Sequence, residues 1–153
     1  MIGAKILLVD DEEVFVLNMS KLLTARGYKV TGVHSGDEAI RALDEQPVDV
    51  IVLDLKMPGM DGLTTLKEIQ KLGLFTQTLI LTGHGSIDSA LEAMKLGAYD
   101  YLTKPCEIED LVAKIEGAWE KKDVATIKDL TDKIQKVVES PRSVFEVFPP
   151  KKK

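Results

Sequence analysis

The sequence predicts a doubly wound α/β domain, a five-stranded parallel sheet with helices on both faces, followed by a C-terminal helical extension. Three observations carry this. Five short apolar stretches alternate with helical patterns along residues 1–120. The stretch Val50-Ile-Val-Leu is apolar without alternation, the mark of a strand buried on both faces in a helix-covered parallel sheet. Beyond it, no Gly or Pro interrupts positions 118–140, where apolar residues recur at close to 3.6 spacing.

Taken in order, Lys5 to Val9 is a short apolar strand running into the acidic quartet Asp10, Asp11, Glu12 and Glu13. A helix follows, with Val14, Met19, Leu22 and Leu23 apolar and Gly27 as its stop. Tyr28 to Val33 reads as the second strand, and Ser35 with Glu38 three residues on is a capping-box start for a helix reaching about Glu45. The third strand ends at Asp54, where Pro58 and Gly59 turn the chain, and Leu63 to Lys71 forms the next helix. Thr78 to Thr82 is the fourth strand, followed by the turn Gly83-His84-Gly85 and a helix from Ser86 to Leu96 closed by Gly97. Ala98 to Thr103 is the fifth strand, then Lys104-Pro105, and a fifth helix starts near Glu107.

The whole chain of 153 residues is 44% hydrophobic, enough for one domain with a proper core and an appendage. No apolar run approaches the roughly 20 residues of a membrane span, and the N-terminus enters a strand instead of a signal peptide. A cytoplasmic protein with no membrane role is expected. The single cysteine, Cys106, fits a reducing compartment and receives no role. Residues 1–120 carry 11 Lys/Arg against 20 Asp/Glu, whereas 121–153 carry nine against five. Such an acidic domain is a poor direct nucleic-acid binder, because clustered cations supply most non-specific affinity for phosphate.

In open α/β sheets ligands bind beyond the carboxyl ends of the strands, so Asp54 stands where chemistry is done, although an ordinary strand-to-loop Asp reads the same way. Carboxylates gathered at neighbouring strand ends repel one another, and without a counter-charge at least one is pushed toward its protonated form. Mg²⁺ relieves such a conflict, since it takes oxygen ligands and commonly joins one or two carboxylates to a phosphate. His34 and His84 lack ligand-like spacing, which argues against zinc. Gly83-x-Gly85 lacks the third glycine of a dinucleotide fingerprint, and no G-x-x-x-x-G-K-[ST] loop occurs.

Asp10-Asp11 after strand one, Asp54 after strand three, Thr82 after strand four, Tyr101 within strand five and Lys104-Pro105 after it resemble, in order and spacing, the receiver domains of two-component response regulators. The stretch from Leu81 to Pro105 is most similar to the nitrogen-regulator subgroup. This resemblance implies the flavodoxin-like strand order 2-1-3-4-5. It also implies that Asp54 accepts a phosphoryl group from a histidine kinase or phosphotransfer protein, with Asp11 and Asp54 as direct Mg²⁺ ligands, the Lys56 carbonyl as third ligand and Asp10 acting through water. Lys104 pairs with a phosphoryl oxygen, and Thr82 and Tyr101 form the switch: the phosphoryl group draws the Thr82 hydroxyl toward Asp54, and the Tyr101 ring turns into the vacated space. His84, two residues past Thr82, is a candidate influence on how long the phosphoryl group survives.

The expected function is therefore a stand-alone phosphoacceptor switch whose output is altered contact with a downstream protein partner, not turnover as an enzyme. The alternatives are a receiver fragment of a larger transcriptional regulator and a pseudo-receiver that binds without taking phosphate. A phosphohydrolase of the haloacid dehalogenase type is disfavoured because Lys56 stands where its second carboxylate would be, and a flavodoxin-like electron carrier because the first loop offers carboxylates to an anionic cofactor.

The domain reading is 1–120 for the receiver, 121–139 for the helical extension and 140–153 for a mobile basic tail. Val112, Ile115, Trp119, Thr126 or Ile127, Leu130, Ile134 and Val137 continue one apolar stripe, which weakens at Lys121-Lys122-Asp123. One helix over 107–139, roughly 50 Å long, and two helices with a joint there are both allowed. An exposed stripe of that length calls for a homodimer contact or for folding back. Phe145 and Phe148 near the basic end form a candidate docking motif.

Overall fold

The structure, a computed structural model, describes residues 3–150 apart from 58, 60 and 84–86. The turn read at Pro58, the His84 side chain, Gly85 and the Ser86 helix start therefore lie outside the described residues. Five strands form the sheet: β1 Lys5–Val9, β2 Lys29–Val33, β3 Val50–Leu53, β4 Gln77–Thr82 and β5 Asp100–Thr103. They are parallel and ordered β2-β1-β3-β4-β5. The connecting helices are α1 Glu13–Ala25, α2 Gly36–Glu45, α3 Gly62–Lys71, α4 Ile87–Lys95 and α5 Ile108–Glu139.

Side chains alternate across a strand, so each strand feeds two cores. Leu7, Val9, Ile51, Leu53 and Ile80 pack on one face with Ala39, Leu66, Ile69 and Ala93 from α2, α3 and α4. Ile6, Leu8, Val50, Val52, Leu79 and Leu81 pack on the other with Val16, Met19 and Leu23 of α1 and with Leu111, Ile115 and Ala118 of α5. Fully burying each such aliphatic side chain stabilises the fold by about 1.5–3 kcal/mol, which is why the central strands tolerate no polar alternation.

Local chemistry sets the helix starts. Ser35 Oγ accepts from the Glu38 N–H at 3.2 Å, while the Glu38 carboxylate accepts from the His34 N–H, one residue before the cap. Asp61 Oδ1 caps α3 by accepting from the Thr64 N–H at 2.8 Å, so α3 begins at Gly62, one residue earlier than expected. β5 is shorter than the expected 98–103. Gly97, at φ +104°, turns the chain, and the ladder with β4 pairs only from Leu79 and Asp100 onward. Ala98 is buried against the neighbouring core instead.

The alternative left open at Lys121-Lys122-Asp123 resolves as one helix, because α5 runs unbroken from Ile108 to Glu139. Lys122 is half-buried and pairs with Asp49 Oδ1 at 3.0 Å. By compactness the chain divides into two units, Met1–Lys122 and Asp123–Lys153. In the second unit the stretch read as a mobile tail holds regular structure: a 3₁₀ turn, Pro141–Ser143, and a short helix α6, Val144–Val147. The backbone closes there through Ser140 N–H to Lys136 O and Ser143 N–H to Ser140 O, and buried Ser143 returns its hydroxyl to Ser140 O at 2.7 Å. Proline at the first position of that turn costs no hydrogen bond, since its missing N–H would have no partner there.

Candidate functional site

Strand register brings the predicted residues to one edge of the sheet. Val9 stands opposite Leu53 across the parallel β1–β3 pair, so the next residue of each strand, Asp10 and Asp54, emerges beside the other. The Asp54 N–H donates to Val9 O at 2.9 Å, and the Asp10 N–H donates to Val33 O at 3.2 Å. On the other side β4 brings Thr82 up beside Asp54, and the Lys104 N–H donates to Thr82 O at 2.7 Å, which fixes Lys104 at the same level. Asp10 and Asp54 are buried, at 1% and 5% exposure, whereas Asp11 is exposed.

One carboxylate oxygen from each of Asp10, Asp11 and Asp54 lies within 4.8 Å of the other two. Burial pushes the Asp54 carboxyl up to about 6, reinforced by the Asp10 and Asp11 charges and opposed by the Lys56 N–H and Lys104. The Lys104 ammonium answers the cluster: it lies 2.5 Å from Asp10 Oδ2, 3.4 Å from Glu12 Oε1 and 3.9 Å from Asp54 Oδ2. Burial alone pulls this ammonium down, but the hydrogen bond to Asp10, with the Asp54 and Glu12 charges, outweighs that and raises it above its ordinary value. The peptide bond between Lys104 and Pro105 is cis.

Asp54 Oδ1 accepts two further bonds, from the Lys56 N–H at 3.2 Å and from the Thr82 hydroxyl at 3.3 Å. Thr82 is fully buried. Its hydroxyl thus faces Asp54. Tyr101 is half-buried and packs against the core that contains Leu53, Leu55 and Met57. Three carboxylates, each offering one oxygen and with no sulfur or imidazole in the group, form a donor set that fits a hard divalent cation such as Mg²⁺.

Three further residues shape the site, and sequence reasoning assigned none of them a part. His34 Nδ1 lies 3.2 Å from Asp10 O and ties the acidic turn to the end of β2; its place directly after that strand was the available signal. A Cβ on Gly62 would stand 2.3 Å from Leu55 Cα and 2.5 Å from Asp54 O, so only glycine lets α3 close against the backbone that carries Asp54. Phe15, in the first turn of α1, lies under the Lys104 ammonium at 4.3 Å from its ring centroid.

Residues 6–116 match the family described as response regulator receiver domain. The chain belongs to that family. This receiver is 41% identical over 113 residues to the transcriptional regulatory protein ZraR of Escherichia coli (strain K12), covering 74% of this chain and 26% of that one. It is 38% identical over 111 residues to the DNA-binding transcriptional regulator NtrC of Klebsiella pneumoniae, covering 72% of this chain and 24% of the relative. Its fold matches a response regulator receiver domain protein of Clostridium thermocellum with a TM-score of 0.76 and 40% identity, covering 80% of this chain and 98% of the other. The receiver is thus a two-component signalling domain related to NtrC-type regulators, and the chain spans about a quarter of the length of those curated relatives. Among the described residues no helix is long and apolar enough to cross a membrane.

Proposed function

We propose that the protein is a phosphoacceptor switch in which Asp54 takes a phosphoryl group from a histidine kinase or phosphotransfer protein. The observation that carries this reading is the convergence of Asp10, Asp11 and Asp54 within 4.8 Å, with Lys104 and Thr82 directed at the same carboxylates. A carboxylate oxygen of Asp54 attacks phosphorus; the P–O bond to Asp54 forms as the P–N bond to the donor imidazole breaks, and the leaving nitrogen keeps the electron pair. Asp11, Asp54 and the Lys56 carbonyl would hold Mg²⁺, with Asp10 acting through water, and the bound ion would screen the carboxylates from the incoming phosphoryl oxygens. Lys104, whose ammonium lies 3.9 Å from Asp54 Oδ2, offers its charge to a phosphoryl oxygen, and Thr82 reports occupancy by transferring its hydrogen bond from the carboxylate to the phosphoryl group. Tyr101, half-buried beside this edge, passes the change to the surface of β5.

Output runs through protein contacts, and a homodimer is one of them. The second unit supports this: Val124, Ile127, Leu130, Ile134 and Val138 are exposed along one side of its helix at three- and four-residue spacing.

Incubation with acetyl phosphate and Mg²⁺ followed by peptide mass mapping tests the reading. Wild type gains one phosphoryl group on Asp54 and Asp54→Ala gains none; equal uptake by the variant overturns the assignment.

A further inference from the structure

Lys104 carries its charge on a flexible four-carbon stem, and three carboxylates compete for it at 2.5, 3.4 and 3.9 Å. Ion pairs alone would hold it on Asp10, the nearest partner. A fourth contact differs in kind: the Phe15 ring lies under the ammonium at 4.3 Å from its centroid, and the ring's other surroundings are the apolar core shared by α1, β4 and α5. The negative face of a π system attracts a cation without imposing the direction that a carboxylate lone pair imposes. Such a face would let the ammonium shift between Asp10 and Asp54 while it keeps the ring contact.

We propose that Phe15 is a positioning residue for phosphoryl transfer, holding the Lys104 ammonium at the mouth of the site while it moves from Asp10 toward the group arriving on Asp54. This rests on the reading of Asp54 as phosphoacceptor, with Lys104 as the group that touches phosphate and Phe15 acting only through it. Phe15 reaches the site from the first turn of α1, four residues past Asp11, so one helix start supplies both a carboxylate and the ring. Glu12, exposed and 3.4 Å from the ammonium, adds only a weak pull on the outer side, where solvent screens it.

The test compares wild type, Phe15→Leu, Phe15→Tyr, Lys104→Met and the Phe15→Leu/Lys104→Met double variant in the 153-residue chain. Rates of phosphate uptake from acetyl phosphate with Mg²⁺ are one readout, and NMR of the Lys104 ε-methylene protons in metal-free protein is the other. Phe15→Leu slows uptake about three- to fivefold, the scale of one partly desolvated cation–π contact. Phe15→Tyr restores the rate, and Phe15→Leu adds nothing in the Lys104→Met background. The ε-methylene protons are shifted upfield by the ring in wild type and Phe15→Tyr and lose that shift in Phe15→Leu. A wild-type rate in Phe15→Leu, an undiminished effect in the double variant, or unshifted ε-methylene protons in wild type each overturn the proposal. Failure of wild type itself to take phosphate on Asp54 overturns the phosphoacceptor reading, and the part given to Phe15 with it, whereas the other results strike at Phe15 alone.

Discussion

Thr82 Oγ1 donates to Asp54 Oδ1 at 3.3 Å at a fully buried strand end, so this hydroxyl and this carboxylate share one hydrogen bond. One hydrogen bond to a charged group contributes roughly 1.5–3 kcal/mol, whereas carrying a two-state equilibrium from 1:99 to 99:1 takes about 5.5 kcal/mol. Thr82 therefore acts as one contributor among several. Thr82→Ala leaves Asp54 phosphorylatable and diminishes the backbone chemical-shift changes that follow in β4 and β5, while Thr82→Ser retains most of them. An undiminished response in Thr82→Ala, measured by heteronuclear NMR, removes the residue from the switch.

Asp54 makes the fold sensitive to pH when no divalent ion is present. Its carboxyl is raised to about 6 in the fold from 3.8, so the folded state holds a proton that the unfolded chain releases earlier. The resulting stability is fully present below about 3.8 and is lost as pH rises through about 6, at a cost on the order of 1–3 kcal/mol. Thermal melts of wild type and Asp54→Asn in chelator should diverge between pH 4 and 7, with the variant more stable at the upper end. Mg²⁺ should narrow the gap by stabilising the ionised wild type; a gap that does not depend on pH contradicts the assignment.

Gly62 and Gly117 offer a matched pair of alanine substitutions. At Gly62 the added methyl meets the backbone of Leu55 and Asp54, which cannot withdraw, whereas at Gly117 it meets the Tyr99 hydroxyl at 2.3 Å, the far end of a movable side chain. Overpacking against fixed neighbours costs about 1–3 kcal/mol. Gly62→Ala should lower the denaturation midpoint clearly more than Gly117→Ala and slow phosphate uptake, because it displaces the segment carrying Asp54. Equal effects in urea titrations argue against the close packing at Gly62.

The exposed stripe of the second unit carries the homodimer reading. Ile127→Lys with Ile134→Lys places charges at 58% and 50% exposed positions, outside the buried core. Light scattering over a concentration series should find a self-associating wild type and a monomeric variant. A wild type that stays monomeric at millimolar concentration withdraws the homodimer.

Much of this was legible in the sequence because strands and helices announce themselves locally. An unbroken apolar run can be stable only between two layers of helix, so Val50–Leu53 had to be an inner strand, and Asp54 had to stand at its carboxyl end. Ser35 and Glu38 announced a helix start in the same way. The acidic pair, Thr82 and Lys104 could be ordered along the chain, and the family pattern supplied a role for each.

Other features follow from distances between residues that lie far apart in sequence. Only folding decides that Lys104 rests closest to Asp10, over Phe15, because a long flexible stem takes whichever partners the strand register brings near. Gly62 and His34 matter through contacts with backbone that no local pattern displays. The unbroken course of α5 and the short helix at Val144–Val147 were likewise not legible: the sequence leaves one helix or two open at Lys121-Lys122-Asp123 and reads as a mobile tail from 140.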